Sequence, residues 1–279
     1  MLEDESRERQ SEFRDEKKQK AERDNDRVNE STYDSNKYIS EARRVPNGTV
    51  PINILQFHHS FSYDCQRYFN LCVIEPNVVI FASGNILHFL NTTTSQLWFR
   101  RGYTSGGIGH ITKNPMFDHI AVGENGIKPP IIIYKWPSMD IVTILDNGTI
   151  KSYCHLTYSA DGLLLVSQGG EPDYTITLWD WQKSEIVLKC KSYNRDVYNV
   201  TISPLLPGSL ATSGLGHIKF WKISKTFTGL KLKGEIGRFG QTEISDIVGV
   251  YIMPDGKNYI VFRLYQAANG ETFYCGKKA

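Results

Sequence analysis

Short β-type runs recur along this chain at a nearly constant spacing, and this repeat restricts the possible fold more than any other feature. Three of the turns in this region are each followed by a run of small residues and then by a run that ends in an aromatic residue. The three aromatic residues are Tyr134, Trp179 and Trp221. These aromatic residues are 45 and 42 residues apart. The turns that follow β-type runs contain Pro or Asp-Gly, at Asn114-Pro115, Ser159–Gly162, Ser203-Pro204 and Met253–Gly256. A period of this length is typical of a four-stranded unit that stacks against copies of itself.

The residues inside each period indicate a β-propeller blade. Trp179-Asp180 is a Trp-Asp dipeptide near the end of a predicted third strand, and Lys222 stands at the corresponding place after Trp221. An aromatic side chain on the third strand fills the wedge between neighbouring blades, and small residues on the second strand let the sheets approach. Tyr134, Trp179, Asp180 and Trp221 are therefore the predicted structural blade anchors. The sequence predicts an all-β fold of the WD40 propeller type.

The same spacing divides the chain into domains. We expect three full blades at about 108–147, 152–190 and 197–235, a partial blade at about 52–101, and one further strand after Ser245. Propellers close a ring of four to eight blades. About four to five blades, with only a fraction of the last one at a frayed end, therefore predict an incomplete part of a larger ring. The predicted domains are a charged linker at residues 1–48, a partial propeller at residues 49–257 and a divergent tail at residues 258–279.

The first 45 residues hold 13 acidic and 11 basic residues and almost no large apolar side chains. Such a segment buries too little surface to offset its chain entropy, which predicts disorder or a solvated helix.

The composition of the whole chain argues against several other classes of protein. The formal net charge is only +2, so no basic field for nucleic acid is expected. We see no signal peptide after Met1 and no apolar run long enough for a membrane helix, and five scattered cysteines fit a reducing cytosolic compartment.

No motif for catalysis, metal or cofactor binding stands out. His58 and His59 are adjacent and point to opposite faces of a strand, while Cys65 and Cys72 are farther apart than zinc ligands usually are. The glycine-rich stretch Ser105–Gly109 opens a strand where a phosphate-binding loop would open a helix. Carboxylates in turns are expected to cap backbone amides, and these are Asp161, Asp173, Asp196 and Asp246. The sequence therefore predicts no enzyme, no cofactor, no metal and no small-molecule substrate.

Basic residues concentrate near the last full blade. The candidates for partner binding are Lys219, Lys222, Lys231, Lys233 and Arg238. They alternate with aromatic residues and Leu, so they either occupy solvated outward positions on strands or contact an acidic partner such as a tubulin surface.

Several stretches resemble one known family. They are Gly169–Trp181, Ser213–Lys222, Thr226–Gly234 and Gly237–Gly240, with upstream matches at Tyr63–Cys65, Ala82–Asn85 and Gly106–Gly109. Over residues 60 to 257 the chain resembles the cilia- and flagella-associated WD-repeat protein 44 family, also called WD repeat protein 52. In that family further blades follow and a coiled-coil half comes after them. Residues 258–279 depart from the pattern, so the chain is expected to correspond to a truncated N-terminal propeller part.

The resemblance implies a scaffold in the axoneme of motile cilia, within a tether that links inner-arm dynein motor domains to doublet microtubules. The implied partners are a second WD-repeat tether subunit, inner-arm dynein and tubulin, with no nucleic acid and no membrane. Two other interpretations stay open at this point. One is a generic WD-repeat adaptor, such as a substrate receptor of a ubiquitin ligase, and the other is a propeller enzyme, because a propeller alone does not define a function.

Overall fold

A computed structural model describes residues 60, 62–64, 68–227, 229–238, 245–252, 259–263 and 275–277. The described residues form strands and turns and contain no helix. The predicted charged segment 1–48 lies outside them, as do His58, His59 and Cys65.

Nineteen strands in this part of the chain form five antiparallel sheets in chain order. The first sheet contains β1 (Leu71–Glu75), β2 (Val78–Ser83), β3 (Ile86–Asn91) and β4 (Leu97–Arg101). The second contains β5 (Ile108–Lys113), β6 (His119–Glu124), β7 (Ile131–Lys135) and β8 (Asp140–Leu145). The third contains β9 (Tyr153–Tyr158), β10 (Leu164–Gly169), β11 (Thr175–Asp180) and β12 (Glu185–Lys191).

The fourth sheet contains β13 (Val197–Ile202), β14 (Ser209–Gly214), β15 (His217–Thr226) and β16 (Gly229–Ile236). The fifth contains β17 (Ile247–Ile252), β18 (Tyr259–Arg263) and β19 (Cys275–Lys277). In every sheet each strand pairs with the next strand along the chain. This succession of four-stranded meanders is the blade pattern of a WD40-type propeller, so the predicted fold class is confirmed.

The three blades expected between residues 108 and 235 coincide with the second, third and fourth sheets. The two ends differ from the expectation. The blade expected to be partial at about 52–101 has four strands between Leu71 and Arg101. Within residues 258–279, assigned to a tail from the sequence, β18 and β19 pair with β17 and continue the fifth sheet.

Burial changes from the first strand of a sheet to the fourth. In the second and third sheets nearly every residue of the second and third strands, β6, β7, β10 and β11, is buried. The fourth strands β8, β12 and β16 are mostly exposed. Because a middle strand is covered on both faces by neighbouring sheets, it has a continuous apolar run such as Ile131-Ile132-Ile133.

Successive sheets meet through their first strands, since β1 contacts β5, β5 contacts β9, β9 contacts β13 and β13 contacts β17. Gly109 in β5 shows how close this approach is. A Cβ atom at Gly109 would overlap the backbone carbonyl oxygen of Tyr153 in β9. Gly109 therefore serves the packing of neighbouring blades, and the glycine-rich stretch Ser105–Gly109 opens strand β5, as the sequence predicts.

Candidate functional site

The three aromatic blade anchors lie at equivalent positions in successive sheets. Tyr134, Trp179 and Trp221 are on the third strands β7, β11 and β15. Each is paired with the second residue of the preceding strand, which is Ile120, Leu165 and Leu210 respectively. Each is at most 5% exposed. The period of 45 and 42 residues in the sequence thus corresponds to one register in the structure.

Each anchor packs into the core that joins its own sheet to the preceding one. Tyr134 lies in a cluster with apolar residues of β1, β2 and β3. Trp179 lies among residues of β6, β7 and β9, and Trp221 among residues of β10, β11 and β13. The anchors therefore fix the packing between blades as well as the interior of each sheet.

The two tryptophans also donate hydrogen bonds that the sequence alone does not reveal. Trp179 Nε1 donates to Ser167 Oγ at 2.8 Å, and Trp221 Nε1 donates to Thr212 Oγ1 at 2.9 Å. Ser167 and Thr212 are fully buried on the neighbouring second strands. A buried indole N–H needs such a partner, so a hydroxyl at this position of the second strand is the matching signal in the sequence.

Asp180 differs from the aromatic anchors in its surroundings. It ends β11, and its carboxylate accepts hydrogen bonds from the Lys183 side chain at 2.7 Å and from the Lys183 amide at 3.3 Å. The hydrogen bond from Lys183 lowers the pKa of Asp180. Asp180 therefore stabilises the turn between β11 and β12 and does not enter the core between the sheets.

Asp173 connects two loops on one face of the third blade. Its Oδ1 accepts a hydrogen bond from Thr149 Oγ1 and its Oδ2 accepts one from Thr175 Oγ1, both at 2.8 Å. Thr149 precedes β9, whereas Asp173 precedes β11. By comparison, Asp161 accepts from Ser159 Oγ and the Leu163 amide within a turn, as the sequence predicts for a turn carboxylate.

We expect Asp173→Ala to lower the free energy of unfolding by about 1–3 kcal/mol, because two hydroxyl groups lose a charged acceptor. Chemical denaturation with urea measures this. Asp140→Ala is the matched control, since Asp140 is exposed at the start of β8, and it should change stability by about 0.5 kcal/mol or less. Equal stability of the Asp173 and Asp140 variants would contradict this role for Asp173.

Two histidines on first strands contact the next blade. His110 Nδ1 accepts the Leu156 amide at 3.1 Å, and His155 Nδ1 accepts the Val200 amide at 3.4 Å. The two rings lie 4.4 Å apart. Burial lowers the pKa of His155 to about 3. His155 is therefore neutral at physiological pH and serves as a hydrogen-bond acceptor between the blades.

No described group of three or more His, Cys, Asp or Glu side chains could hold a metal ion. Three described cysteines, Cys72, Cys154 and Cys190, are free thiols, and burial raises the pKa of each. The part of the chain that the structure describes contains no helix long and apolar enough to cross a membrane.

Four of the five basic candidates lie on the hairpin of β15 and β16, and Arg238 follows the end of β16 by two residues. Lys219 is half-buried, with its ammonium 3.9 Å from the centroid of the Trp221 ring and 2.9 Å from the Ser192 carbonyl oxygen. Burial lowers the pKa of Lys219. Its charge is therefore directed into the molecule, towards the third sheet.

Lys222, Lys231, Lys233 and Arg238 are exposed. Lys222 pairs directly with Lys233 across the two strands, and Ser224 pairs with Lys231 two residues further along. The two pairs share one face of the hairpin, because side chains two residues apart lie on the same side of a strand. This face therefore contains Lys222, Ser224, Lys231 and Lys233. Lys222 and Lys233 also line a cleft of about 480 Å³ that Ile252 of β17 borders.

Repeated four-stranded sheets, two of which have a tryptophan on the third strand bonded to a hydroxyl on the second, define a WD-repeat propeller protein. Comparison with known proteins gives the particular family. The chain is 40% identical over 79% of its length to cilia- and flagella-associated protein 44 of Mus musculus. The corresponding values are 38% over 70% for the Chlamydomonas reinhardtii protein and 35% over 76% for the Trypanosoma brucei brucei protein of the same name.

The chain therefore belongs to the cilia- and flagella-associated protein 44 family, and the resemblance that the sequence motifs predict is confirmed. The matched region spans 11–12% of the length of these relatives. No protein-family model matches the chain.

Proposed function

We propose that this chain is a non-catalytic scaffold of the axoneme in motile cilia and flagella. The observation that carries the proposal is the similarity of the repeat region to proteins named as cilia- and flagella-associated in mouse, an alga and a trypanosome. The geometry supports it, because the conspicuous polar groups have structural partners within the fold. Asp173, Asp180 and His155 each act within the fold, as their hydrogen-bond partners show.

In finer detail, the scaffold belongs to a tether that links inner-arm dynein motor domains to doublet microtubules and so supports ciliary beating. The proposed partners are a second WD-repeat tether subunit, inner-arm dynein and tubulin. A propeller suits such a role because a rigid set of sheets displays variable loops on two faces. The blades proposed within residues 49–257 would provide the rigid part, and residues 1–48 a charged linker.

The test is to express the tagged chain in ciliated cells, image it, and identify the proteins that copurify from isolated axonemes. We expect localisation along the axoneme and recovery of inner-arm dynein. Diffuse cytoplasmic signal with recovery of ubiquitin-ligase subunits would contradict the proposal and favour a generic WD-repeat adaptor. Turnover of a small-molecule substrate that Trp179→Ala abolishes would favour an enzyme.

A further inference from the structure

The hairpin of β15 and β16 has more positive charge than any neighbour in the described structure neutralises. Residues 219–238 contain six basic residues and one acidic residue, whereas the whole chain has a net charge of only +2. The one described ion pair joins Lys183 to Asp180, far from this hairpin in the chain. Glu235 lies two residues from Lys233 on the same strand and borders the same cleft, but no described carboxylate forms an ion pair with Lys222, Lys231 or Lys233.

The hairpin also places these charges in an unfavourable arrangement. Lys222 and Lys233 face each other directly across the strands, and like charges at such positions destabilise a sheet. Lys231 lies on the same face, two residues from Lys233, which corresponds to about 7 Å along an extended strand. An anionic ligand with charges at that spacing would relieve the repulsion at all three ammonium groups.

The position of β16 limits the kind of anion. The order of the fourth sheet is β13-β14-β15-β16, so β16 is its outer edge among the described strands. An edge strand offers unpaired backbone groups to another extended chain. β14 pairs with β15 only as far as Lys222, so the remaining part of the hairpin extends beyond the sheet as a two-stranded arm. Backbone pairing of this kind is open to a polypeptide and closed to a nucleic acid or a lipid.

We propose that the outer edge of β16 binds an extended acidic segment of a partner polypeptide, with carboxylates at alternate residues facing Lys231 and Lys233 and attracted also to Lys222, which lies one strand further in on the same face. This inference rests on the proposed scaffold function and specifies the chemistry of one partner. Alternate residues of an added strand lie on one face at the spacing of Lys231 and Lys233. Lysines on an edge strand disfavour pairing with uncharged strands, so the same residues give selectivity for an acidic one.

Lys219 and Arg238 have other positions in this arrangement. The Lys219 ammonium contacts Trp221 and Ser192 on the opposite face of β15, so it does not line the binding face. Arg238 follows the end of β16 by two residues and is exposed. It would add to the attraction of the acidic segment without defining its register.

The test measures binding of a fluorescently labelled peptide of alternating Glu and Thr to the full chain by anisotropy, at low and physiological salt. We expect saturable binding that weakens with salt. The triple variant Lys222→Gln, Lys231→Gln, Lys233→Gln should raise the Kd at least about tenfold. The control removes three exposed lysines on other strands and loops, by Lys128→Gln, Lys135→Gln and Lys151→Gln, and should stay within about twofold of the unaltered chain. Thermal melting checks that both variants fold.

Three further ligands test the backbone pairing and the source of the negative charge. A peptide of the same sequence with N-methylated backbone amides should bind at least about tenfold more weakly, because it cannot pair with a strand edge. The proposal is overturned by an unchanged Kd in the triple variant, by no binding of the acidic peptide, or by equal affinity for single-stranded DNA or phosphatidylserine vesicles. If the unaltered chain bound the acidic peptide but did not localise to the axoneme, the result would count against the scaffold function alone.

Discussion

Replacing Trp179 by alanine is expected to lower the free energy of unfolding by about 3–5 kcal/mol, the usual cost of removing a large buried aromatic side chain. Trp179 is 1% exposed and packs with residues of both the second and the third sheets. The variant also leaves the buried Ser167 hydroxyl without its indole donor. Because a domain is stable by only about 5–15 kcal/mol, this loss is a substantial fraction of the total stability of the protein.

Urea denaturation followed by tryptophan fluorescence and circular dichroism measures this loss. Trp179→Phe separates its two causes, since phenylalanine keeps an aromatic ring in the core and lacks the N–H group. Trp98→Ala is the control, because Trp98 is half-buried on the outer strand β4 and should cost about 1–2 kcal/mol. If Trp179→Ala cost no more than Trp98→Ala, the assignment of Trp179 as a blade anchor would be wrong.

The central blades could be predicted from the sequence because their signals are local. One blade corresponds to one period, and an aromatic residue near the end of the third strand (Tyr134, Trp179 or Trp221) marks the register. The first sheet lacks that signal, since Leu90 pairs with the second residue of β2. The neighbouring Phe89 stacks against Trp98 and Trp136, with ring centroids 5.6 Å apart in each pair. Trp136 comes from the second sheet, 47 positions along the chain. A contact of this kind depends on how the sheets pack, which sequence spacing does not contain.

Prediction of the candidate binding face from the sequence is limited in the same way by the packing of the sheets. Strand alternation predicts which lysines share a face, and Lys222, Lys231 and Lys233 do so across the β15–β16 pairing. Alternation does not predict which face a neighbouring sheet covers, and for that reason the sequence grouped Lys219 with the exposed lysines. Nothing in the sequence pattern marks Glu124 as a buried hydrogen-bond acceptor. It is fully buried, and it accepts the amides of Tyr103 and Thr104 in the loop between the first two blades.

Lowering the pH from 7 to 5 is expected to destabilise the protein through His155. Burial holds the pKa of His155 at about 3 in the folded state, whereas a histidine in an unfolded chain has a pKa of about 6.5. Below pH 6.5 the unfolded state therefore binds a proton that the folded state does not bind. The free energy of unfolding should fall by about 1.4 kcal/mol per pH unit between pH 6.5 and 3, which amounts to about 2 kcal/mol at pH 5.

Urea denaturation of the unaltered chain and of His155→Asn, at pH 7, 6 and 5, isolates this contribution. The asparagine side chain of that variant carries an amide oxygen near the place of the Nδ1 atom, so it can accept the Val200 amide and does not titrate. Burial also lowers the pKa of His88, His119 and His217, and their effect is common to both proteins. The stability curves should therefore diverge as the pH falls. Parallel curves would show that His155 is not buried as a neutral acceptor between the third and fourth blades.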